Sequence, residues 1–253
     1  MIIIKNKAAI AKMETAGRLL NDVFTVVMPQ VAVGMSTSDV DALVQKELAA
    51  RKLVSQSKGY MGYKHVSCIS RNDEVVHGVP RKDAIIKDGD LITLDVCAAW
   101  EGYCADMARS WFVGKENKKG QELIAVAQSA LNKGIDKARA GNRLSDVSWA
   151  IQQEVEAHGF GVVRDFAGHG IGKHMHEDPE VLNYGKPGMG PVLVSGMAFA
   201  IEPMITFGSY KVYITDDKWT VKTKDQSLAA HVEDTVIITD GEPKITTRSN
   251  DKG

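Results

Sequence analysis

Hydrophobic residues recur with helical spacing in the first part of the chain. In residues 7–28 they fall near one face of a helix, and Pro29 ends the pattern. A second helix is predicted to begin after Ser36, because Ser36 and Asp39 have the spacing of a capping box. Its apolar face continues to about Arg51.

The same helical spacing returns in the second part of the chain. It predicts a third helix over residues 120–139, with Gly141 as a favourable residue just beyond the helix end. A fourth helix is predicted from Ser145 to about Gly159. The two pairs of helices are separated by sequence with a different pattern.

Short apolar runs bounded by Gly and Pro predict β-strands between and after the helices. Residues 54–80 mix such runs and end in VVHGVP. Residues 88–113 contain two apolar runs around a turn at 99–102, which is typical of a β-hairpin. Two further strands are predicted at 197–205 and 231–239, and the tail from Arg248 is expected to be frayed.

The predicted hairpin carries two acids on one face. A four-residue turn at 99–102 would place Asp95 opposite Asp106 and Cys97 opposite Cys104. Facing carboxylates in an apolar setting repel each other and need a proton or cations. The alternative is two solvated acids on an edge hairpin.

The facing cysteines, Cys97 and Cys104, predict a strained, reducible disulfide under oxidation. The alternative is that both are small buried hydrophobic residues.

An internal repeat relates the two parts of the chain. Residues 34–50 laid over 141–157, a shift of 107, give seven identities in 17 positions, where ordinary residue usage would give about one. The same shift places Asp95 on Glu202. We therefore predict an α+β fold in which two pseudo-symmetric α-α-β halves, approximately 7–113 and 120–239, surround a central site within one catalytic domain, residues 1–253.

Composition and charge exclude several classes of protein. The chain of 253 residues has 31 Lys and Arg against 32 Asp and Glu, so neither nucleic acid nor an anionic membrane is expected as a partner. An odd number of cysteines, three, favours a reducing compartment. The N-terminal apolar run is too short for a signal peptide, and no run approaches 18 apolar residues. A cytoplasmic protein is expected.

Four acidic residues and one histidine form the candidate metal site. These are Asp95, Asp106, Glu202 and Glu233, with His169 in the GHGIG segment. A ligand set that is rich in oxygen and contains one imidazole suits Mn, Fe, Co or Zn and is unlike a structural zinc site. Two divalent ions would neutralise four carboxylates, which predicts a hydrolytic two-metal centre.

Several motifs together resemble the type I methionine aminopeptidases over nearly the whole chain. They are VVHGVP at 75–80, LDV at 94–96, CADMARSWFVG at 104–114, GHGIG at 168–172, HMHEDP at 174–179, IEPM at 201–204 and WTVKTKDQSLAAHVEDTV at 219–236. The resemblance is to a minimal bacterial form, without the Cys-rich extension or the insert of other members. It implies the pita-bread fold and removal of the N-terminal Met by attack of a metal-bridging hydroxide.

The resemblance also implies roles for individual residues. One metal ion would be held by Asp106, His169, Glu202 and Glu233, and the other by Asp95, Asp106 and Glu233. Two further histidines match active-site positions of the family: His77 near the scissile amide, and His176 placed to stabilise the tetrahedral intermediate. The residues implied for the pocket that binds the Met side chain are Tyr60, Tyr63, Cys68, Met175 and Trp219. The histidines interpreted as structural are His65, His158, His174 and His231.

Partners and alternatives follow from the same comparison of motifs. The resemblance implies a monomer that acts on N-terminal Met peptides and nascent chains, with the ribosome as a candidate place of action. Asp234 follows Glu233 where many members have His, and VEDTV at 232–236 is close to prolidases and aminopeptidase P. Those enzymes usually have an extra N-terminal domain. In this sequence the first half begins at residue 1, which leaves no room for such a domain and favours the methionine enzymes. A peptide-binding module without catalysis is a third hypothesis, but such modules have lost ligands.

Overall fold

The computed structural model describes residues 1–249 and contains the four predicted helices. Each helix agrees with its predicted segment to within a few residues. The helices are α1 (Lys7–Val27), α2 (Thr37–Ala50), α3 (Lys118–Lys137) and α4 (Leu144–Ala157), with short 3-10 turns at Met28–Gln30 and Tyr60–Gly62.

Fifteen strands accompany the helices among the described residues, and the fourth and fifth of them are the long ones at 11 residues each. In chain order they are β1 (Val54–Ser55), β2 (Cys68–Arg71), β3 (Glu74–Val76), β4 (Asp90–Trp100), β5 (Tyr103–Val113), β6 (Gly161–Val162), β7 (Gly168–Gly170), β8 (Glu177–Val181), β9 (Ala198–Ile201), β10 (Met204–Thr206), β11 (Val212–Ile214), β12 (Val221–Thr223), β13 (Ala229–His231), β14 (Glu233–Ile237) and β15 (Lys244–Ile245).

One large sheet joins strands from both halves of the chain. Its order is β1-β4-β5-β14-β9-β7-β8, with β2 also paired to β4 and β15 to β14. Two three-stranded sheets, β13-β10-β6 and β11-β12-β3, lie beside it. The junction between the halves is the antiparallel pairing of β5 with β14.

The helices cover one face of the large sheet. Hydrophobic side chains at alternate positions of its strands point to that face. In β4, Ile92, Leu94 and Val96 pack in a core with residues of α1 and α2. In β9, Phe199 and Ile201 pack in a second core with residues of α3 and α4. Side chains at the intervening positions point to the opposite face. That face carries the candidate site.

The repeat is visible in the backbone at the helix starts. Gly34 and Gly141 both have φ +93°, and their N–H groups donate to carbonyls at positions 86 and 193, again 107 apart. At the start of α2, Ser36 and Asp39 form the predicted capping box. At the start of α4, Asp146 accepts the equivalent bond from a backbone N–H, 2.8 Å away, although the helix begins one residue before the predicted Ser145.

The predicted four-residue turn of the hairpin is wrong. Strands β4 and β5 are joined by Glu101 and Gly102 alone, and Trp100 pairs with Tyr103. Both turn residues have positive φ, +45° and +77°, as a two-residue hairpin turn of type I′ requires. The register therefore differs from the predicted one by two residues. Such a shift changes which residues are opposite each other but leaves every side chain on its predicted face.

The pairings predicted for the acids and cysteines change with the register. Asp95 is opposite Ala108, and Cys97 is opposite Asp106. Cys104 is opposite Ala99, so the two cysteines are diagonal neighbours and the prediction that they face each other is wrong. All three cysteines are free and buried.

Two predictions near the C-terminus also need correction. Pro203 interrupts the strand predicted at 197–205, which is divided into β9 and β10. Arg248 is not frayed, because its Nε donates to Asp234 Oδ2 at 2.7 Å. The rest of the tail, residues 250–253, lies outside the described residues. In the described chain, no helix combines the length and apolar character needed to cross a membrane.

The matched glycines give a test of the repeat. Gly34→Ala and Gly141→Ala would each force an alanine into a left-handed conformation, with nothing within 4 Å of the new Cβ. We expect each to lower the free energy of unfolding by about 1–2 kcal/mol, from backbone strain alone. Denaturant unfolding of both variants measures this. Costs that differ by more than about 1 kcal/mol would contradict equivalent roles in the two halves.

Candidate metal centre

A row of paired residues crosses four strands of the large sheet at the candidate site. Asp95 on β4 pairs with Cys68 on β2 and with Ala108 on β5, and Ala108 pairs with Glu233 on β14. Paired residues project to the same face of a sheet, so both carboxylates point to the face opposite the helices. Ala108 lies between them in this row. Asp106, two residues before Ala108, projects from the same face.

Strand β9 brings the second half of the site to the same face. His169 on β7 pairs with Ala200, and Glu202 follows two residues later, just past the end of β9. Asp234 pairs with Ile201, so the next position along this register sets Glu233 opposite Glu202. The strand register therefore sets Glu202 and Glu233 opposite each other, whereas Asp95 and Asp106 are diagonal neighbours.

The imidazole of His169 is oriented toward the acids. Its Nε2 lies 3.6 Å from Glu202 Oε1 and 3.8 Å from Asp106 Oδ2. Its Nδ1 lies 3.0 Å from the carbonyl oxygen of Gly170, which can only accept, so Nδ1 carries the proton and Nε2 keeps its lone pair. Burial, with His176 nearby, lowers the pKa of His169 to about 3. A neutral imidazole with a free Nε2 can bind a metal ion.

Burial raises the pKa of each of the four carboxyl groups. The pKa of Asp95 rises to about 8 through burial and the charge of Asp106, and that of Asp106 rises to about 7 through burial and the charge of Glu202. Burial raises the pKa of Glu202 to about 8. The pKa of Glu233 is raised well above its ordinary value by burial and by the neighbouring acids. Without cations, these groups favour the protonated form.

The donor set fits divalent cations. Ligand atoms of Asp106, His169 and Glu233 lie within 4.8 Å of one another, and so do ligand atoms of Glu202, His231 and Glu233. Asp95 is in neither group, although it lines the same cavity. Glu233 Oε1 is buried without a hydrogen-bond partner in the part of the chain that the structure describes. A buried carboxylate oxygen without a donor is suited to a metal bond.

All twelve predicted site residues line one cavity of about 510 Å³. The acids and His169 form its floor, and aromatic and sulfur-containing side chains form much of the wall. The lining residues that were predicted are Tyr60, Tyr63, Cys68, His77, Asp95, Asp106, His169, Met175, His176, Glu202, Trp219 and Glu233.

The apolar wall is held in place by aromatic contacts and hydrogen bonds. The Tyr63 ring packs edge to face on Trp219 with centroids 4.9 Å apart, and its hydroxyl donates to the Ser67 carbonyl at 2.9 Å. Burial and the neighbouring Cys68 raise the pKa of Tyr63, so its phenol stays neutral. Cys68, which pairs with Asp95, has a thiol that is also neutral. Burial raises the pKa of this thiol.

Two further histidines of the cavity, His77 and His176, are neutral near pH 7. His77 follows β3 with φ +58°, a strained conformation for a residue that is not glycine. Burial, with His231 and His176 nearby, lowers its pKa to about 4. His176 is exposed at the mouth of the cavity, where its Nδ1 lies 3.1 Å from the Tyr60 hydroxyl. Partial burial lowers its pKa as well.

His231 was interpreted as structural, but it lies in the cavity. Among the four histidines so interpreted, it is the one that lines the site. Its position two residues before Glu233 was the available signal, because alternate residues of an extended chain share a face. Phe166, which packs edge to face on His77 with centroids 5.6 Å apart, was also missed. It follows a loop whose path the sequence pattern does not define.

Asp234, next to Glu233, faces away from the cavity. Its Oδ1 accepts hydrogen bonds from Arg109 and Thr247, each at 2.7 Å, and its Oδ2 accepts one from Arg248. The side chain is fully buried in this network. The prolidase-like feature at this position is therefore an ion-pair network and makes no contact with the cavity floor.

A sheet face bearing four acids and an imidazole beneath a partly apolar cavity defines a metallopeptidase site. The model of metallopeptidase family M24 matches residues 11–240. A methionine aminopeptidase of Clostridium acetobutylicum is 45% identical over 98% of this chain and 99% of its own length. The chain therefore belongs to metallopeptidase family M24 and, within it, to the methionine aminopeptidases.

Solved structures agree with this assignment. The methionine aminopeptidase of Thermotoga maritima has a TM-score of 0.96 and 41% identity, covering 98% of this chain and all of that one. The prolidase of Pyrococcus furiosus has a TM-score of 0.76 and 24% identity, covering 98% of this chain and 66% of that one. The likeness to the prolidase is one of fold alone. The pita-bread fold that the family resemblance implied is thus confirmed.

The raised carboxyl pKa values predict how stability depends on pH in protein stripped of metal. Ordinary carboxyl groups titrate near pH 4, whereas Asp95 and Glu202 keep their protons in the folded state to about pH 8. Above pH 4 the unfolded chain binds fewer protons, so the free energy of unfolding falls as pH rises toward 8. The histidines, whose pKa values are lowered, act oppositely, but only below about pH 6.5.

The informative window is therefore pH 6.5 to 8. Denaturant unfolding of chelator-treated protein should show stability falling across it, and Asp95→Asn should reduce the slope because the amide does not ionise. Added Mn or Co should stabilise more at pH 8 than at pH 6.5, since cations compete with the protons. A stability that rises across this window would contradict the assignment of raised pKa values.

Proposed function

We propose that this chain removes the N-terminal methionine from peptides and nascent proteins by metal-dependent hydrolysis of the first peptide bond. The observation that carries the proposal is the convergence of four acids and His169 on the floor of a cavity with an aromatic and sulfur-rich wall. Membership of the methionine aminopeptidases indicates the reaction, removal of the N-terminal Met. The acids and His169 of the cavity suit metal-dependent hydrolysis, and its aromatic and sulfur-containing wall suits the Met side chain.

The proposed ligands divide between two ions. Asp106, His169, Glu202 and Glu233 would hold one ion, and Asp95, Asp106 and Glu233 the other. Four carboxylates balance the charge of two divalent ions, which supports this number. Oxygen donors with an imidazole suit Mn, Fe, Co or Zn. When bound, such ions would lower the pKa of water and polarise a carbonyl group, and both effects promote amide hydrolysis.

His77 and His176 are proposed to act on the reacting amide. Both are neutral near pH 7, because their pKa values are lowered. Each can then donate one N–H and accept at the other nitrogen. If Tyr60 donates its hydroxyl proton to Nδ1 of His176, the other ring nitrogen carries the N–H and can donate to the developing oxyanion. The strained backbone of His77, which lines the cavity, supports a role at the scissile bond.

The methionine side chain is proposed to lie against Tyr60, Tyr63, Cys68, Met175 and Trp219. Aromatic faces and soft sulfur atoms suit a flexible thioether, and the edge-to-face packing of the rings makes this wall largely preformed. Cys68 pairs with Asp95 in the sheet, which supports a side-chain pocket beside the proposed metal ligands. A substrate anchored there would present its first peptide bond to the acids.

The cytoplasm is the proposed place of action, with nascent chains at the ribosome as substrates of a monomer. All three cysteines are free and buried, which is consistent with a reducing compartment.

Metal reconstitution with two substrates tests the proposed reaction. Chelation should reduce hydrolysis of Met-Ala-Ser at least about 100-fold, and Mn, Fe, Co or Zn should restore it, because the ions supply the activation of water. Peptide cleavage is followed by chromatography, with a peptide of the form Xaa-Pro as the matched alternative substrate. Full activity after chelation would rule out the metal mechanism, and preferential cleavage of the Xaa-Pro peptide would favour a proline peptidase.

His77→Ala tests the role of the strained histidine. We expect kcat to fall by about 10²- to 10⁴-fold with a smaller change in KM, because an interaction made only in the transition state does not contribute to ground-state binding. His158→Ala is the control, since His158 is exposed and remote from the cavity. A decrease of less than about tenfold would return His77 to a structural role.

A further inference from the structure

His231 lies within reach of two of the proposed ligands. It ends β13 and is 1% exposed. Its Nε2 lies 3.3 Å from Glu202 Oε2 and 4.0 Å from Glu233 Oε2. Donor atoms bound to one ion at about 2.0–2.2 Å lie roughly 3–4 Å apart. The three side chains therefore have the separation of ligands around a common cation.

Both ring nitrogens of His231 lack hydrogen-bond partners among residues 1–249. Although Glu202 is 3.3 Å away, its oxygen does not lie in the direction that a ring N–H bond requires. Buried polar atoms in folded proteins almost always have a partner. An imidazole that is buried, unpartnered and close to two acids has the surroundings of a metal ligand.

The backbone of His231 is fixed by strand and side-chain contacts. Its N–H donates to Ser110 Oγ at 3.1 Å, and Ser110 Oγ donates to its carbonyl at 2.8 Å. Ser110 Oγ is in turn 2.6 Å from Thr93 Oγ1 on β4. His231 also pairs with Met204 on β10. The imidazole is thus attached to a rigid backbone, as a metal ligand should be.

We propose that His231 Nε2 is a further protein ligand of the ion held by Glu202 and Glu233. This inference rests on the proposed metal centre and extends it to two imidazoles, one from His169 and one from His231. A neutral imidazole adds a nitrogen donor without changing the charge of the site. Imidazole suits Zn and Fe, whereas Mn favours oxygen ligands, so His231 biases the centre away from Mn.

The test compares the wild type with His231→Gln, which keeps a neutral polar side chain but supplies no imidazole. X-ray absorption of protein loaded with Zn or Co gives the average number of imidazoles per bound ion, the measured metal content converts this to imidazoles per protein molecule, and calorimetry gives the affinity. We expect two imidazoles in the wild type and one in His231→Gln, with Zn affinity reduced at least about tenfold and Mn affinity reduced less. His169→Gln should also remove one imidazole, and the control His77→Gln should remove none.

The outcomes separate the inference from the proposed function. One imidazole in the wild type overturns the inference, and this measurement does not depend on whether any variant folds. An unchanged imidazole count in His231→Gln with weaker metal binding shows that His231 only positions Glu202, which also overturns it. Failure of the wild type to bind metal would instead refute the proposed metal centre itself.

Discussion

Repulsion among buried carboxylates is the constraint on which the rest of the site depends. Asp95, Asp106, Glu202 and Glu233 face one another from a sheet whose hydrogen-bonded ladders prevent them from moving apart. Burial disfavours their ionised forms, so the metal-free arrangement is destabilised near neutral pH. Cations bound among these acids would offset the repulsion. Apolar cores on the opposite face of the sheet supply the stability that this face lacks.

Local patterns predicted more of the fold than of the strand pairing. The helices were identified because periodicity and capping residues such as Ser36 and Asp39 act within a few residues. The hairpin register was not identified correctly. It depends on a two-residue turn in which Glu101, as well as Gly102, has a positive φ. A positive φ at a glutamate is not expected from the residue type alone. Since the error was two residues, the prediction that Asp95 and Asp106 share a face was still right.

The candidate site was predicted by different kinds of reasoning. The acids followed from their positions on apolar strands and from the repeat, whereas the roles of His77, His176 and the Met pocket came from the family resemblance. His231 was missed because a histidine in a strand is usually structural, and its lack of a hydrogen-bond partner is visible only in three dimensions. No pattern along the chain records an unsatisfied atom.

The segment between β5 and α3 is a place where the chain could be cut into two fragments. Residues 114–117 are exposed and join the two halves, while Asp95 and Asp106 precede this segment and His169, Glu202 and Glu233 follow it. The pairing of β5 with β14 does not require that peptide link. Two separately expressed fragments, cut here, would each hold an incomplete ligand set. Their reassociation would be promoted by divalent ions, so the chain could serve as a split reporter that responds to metal.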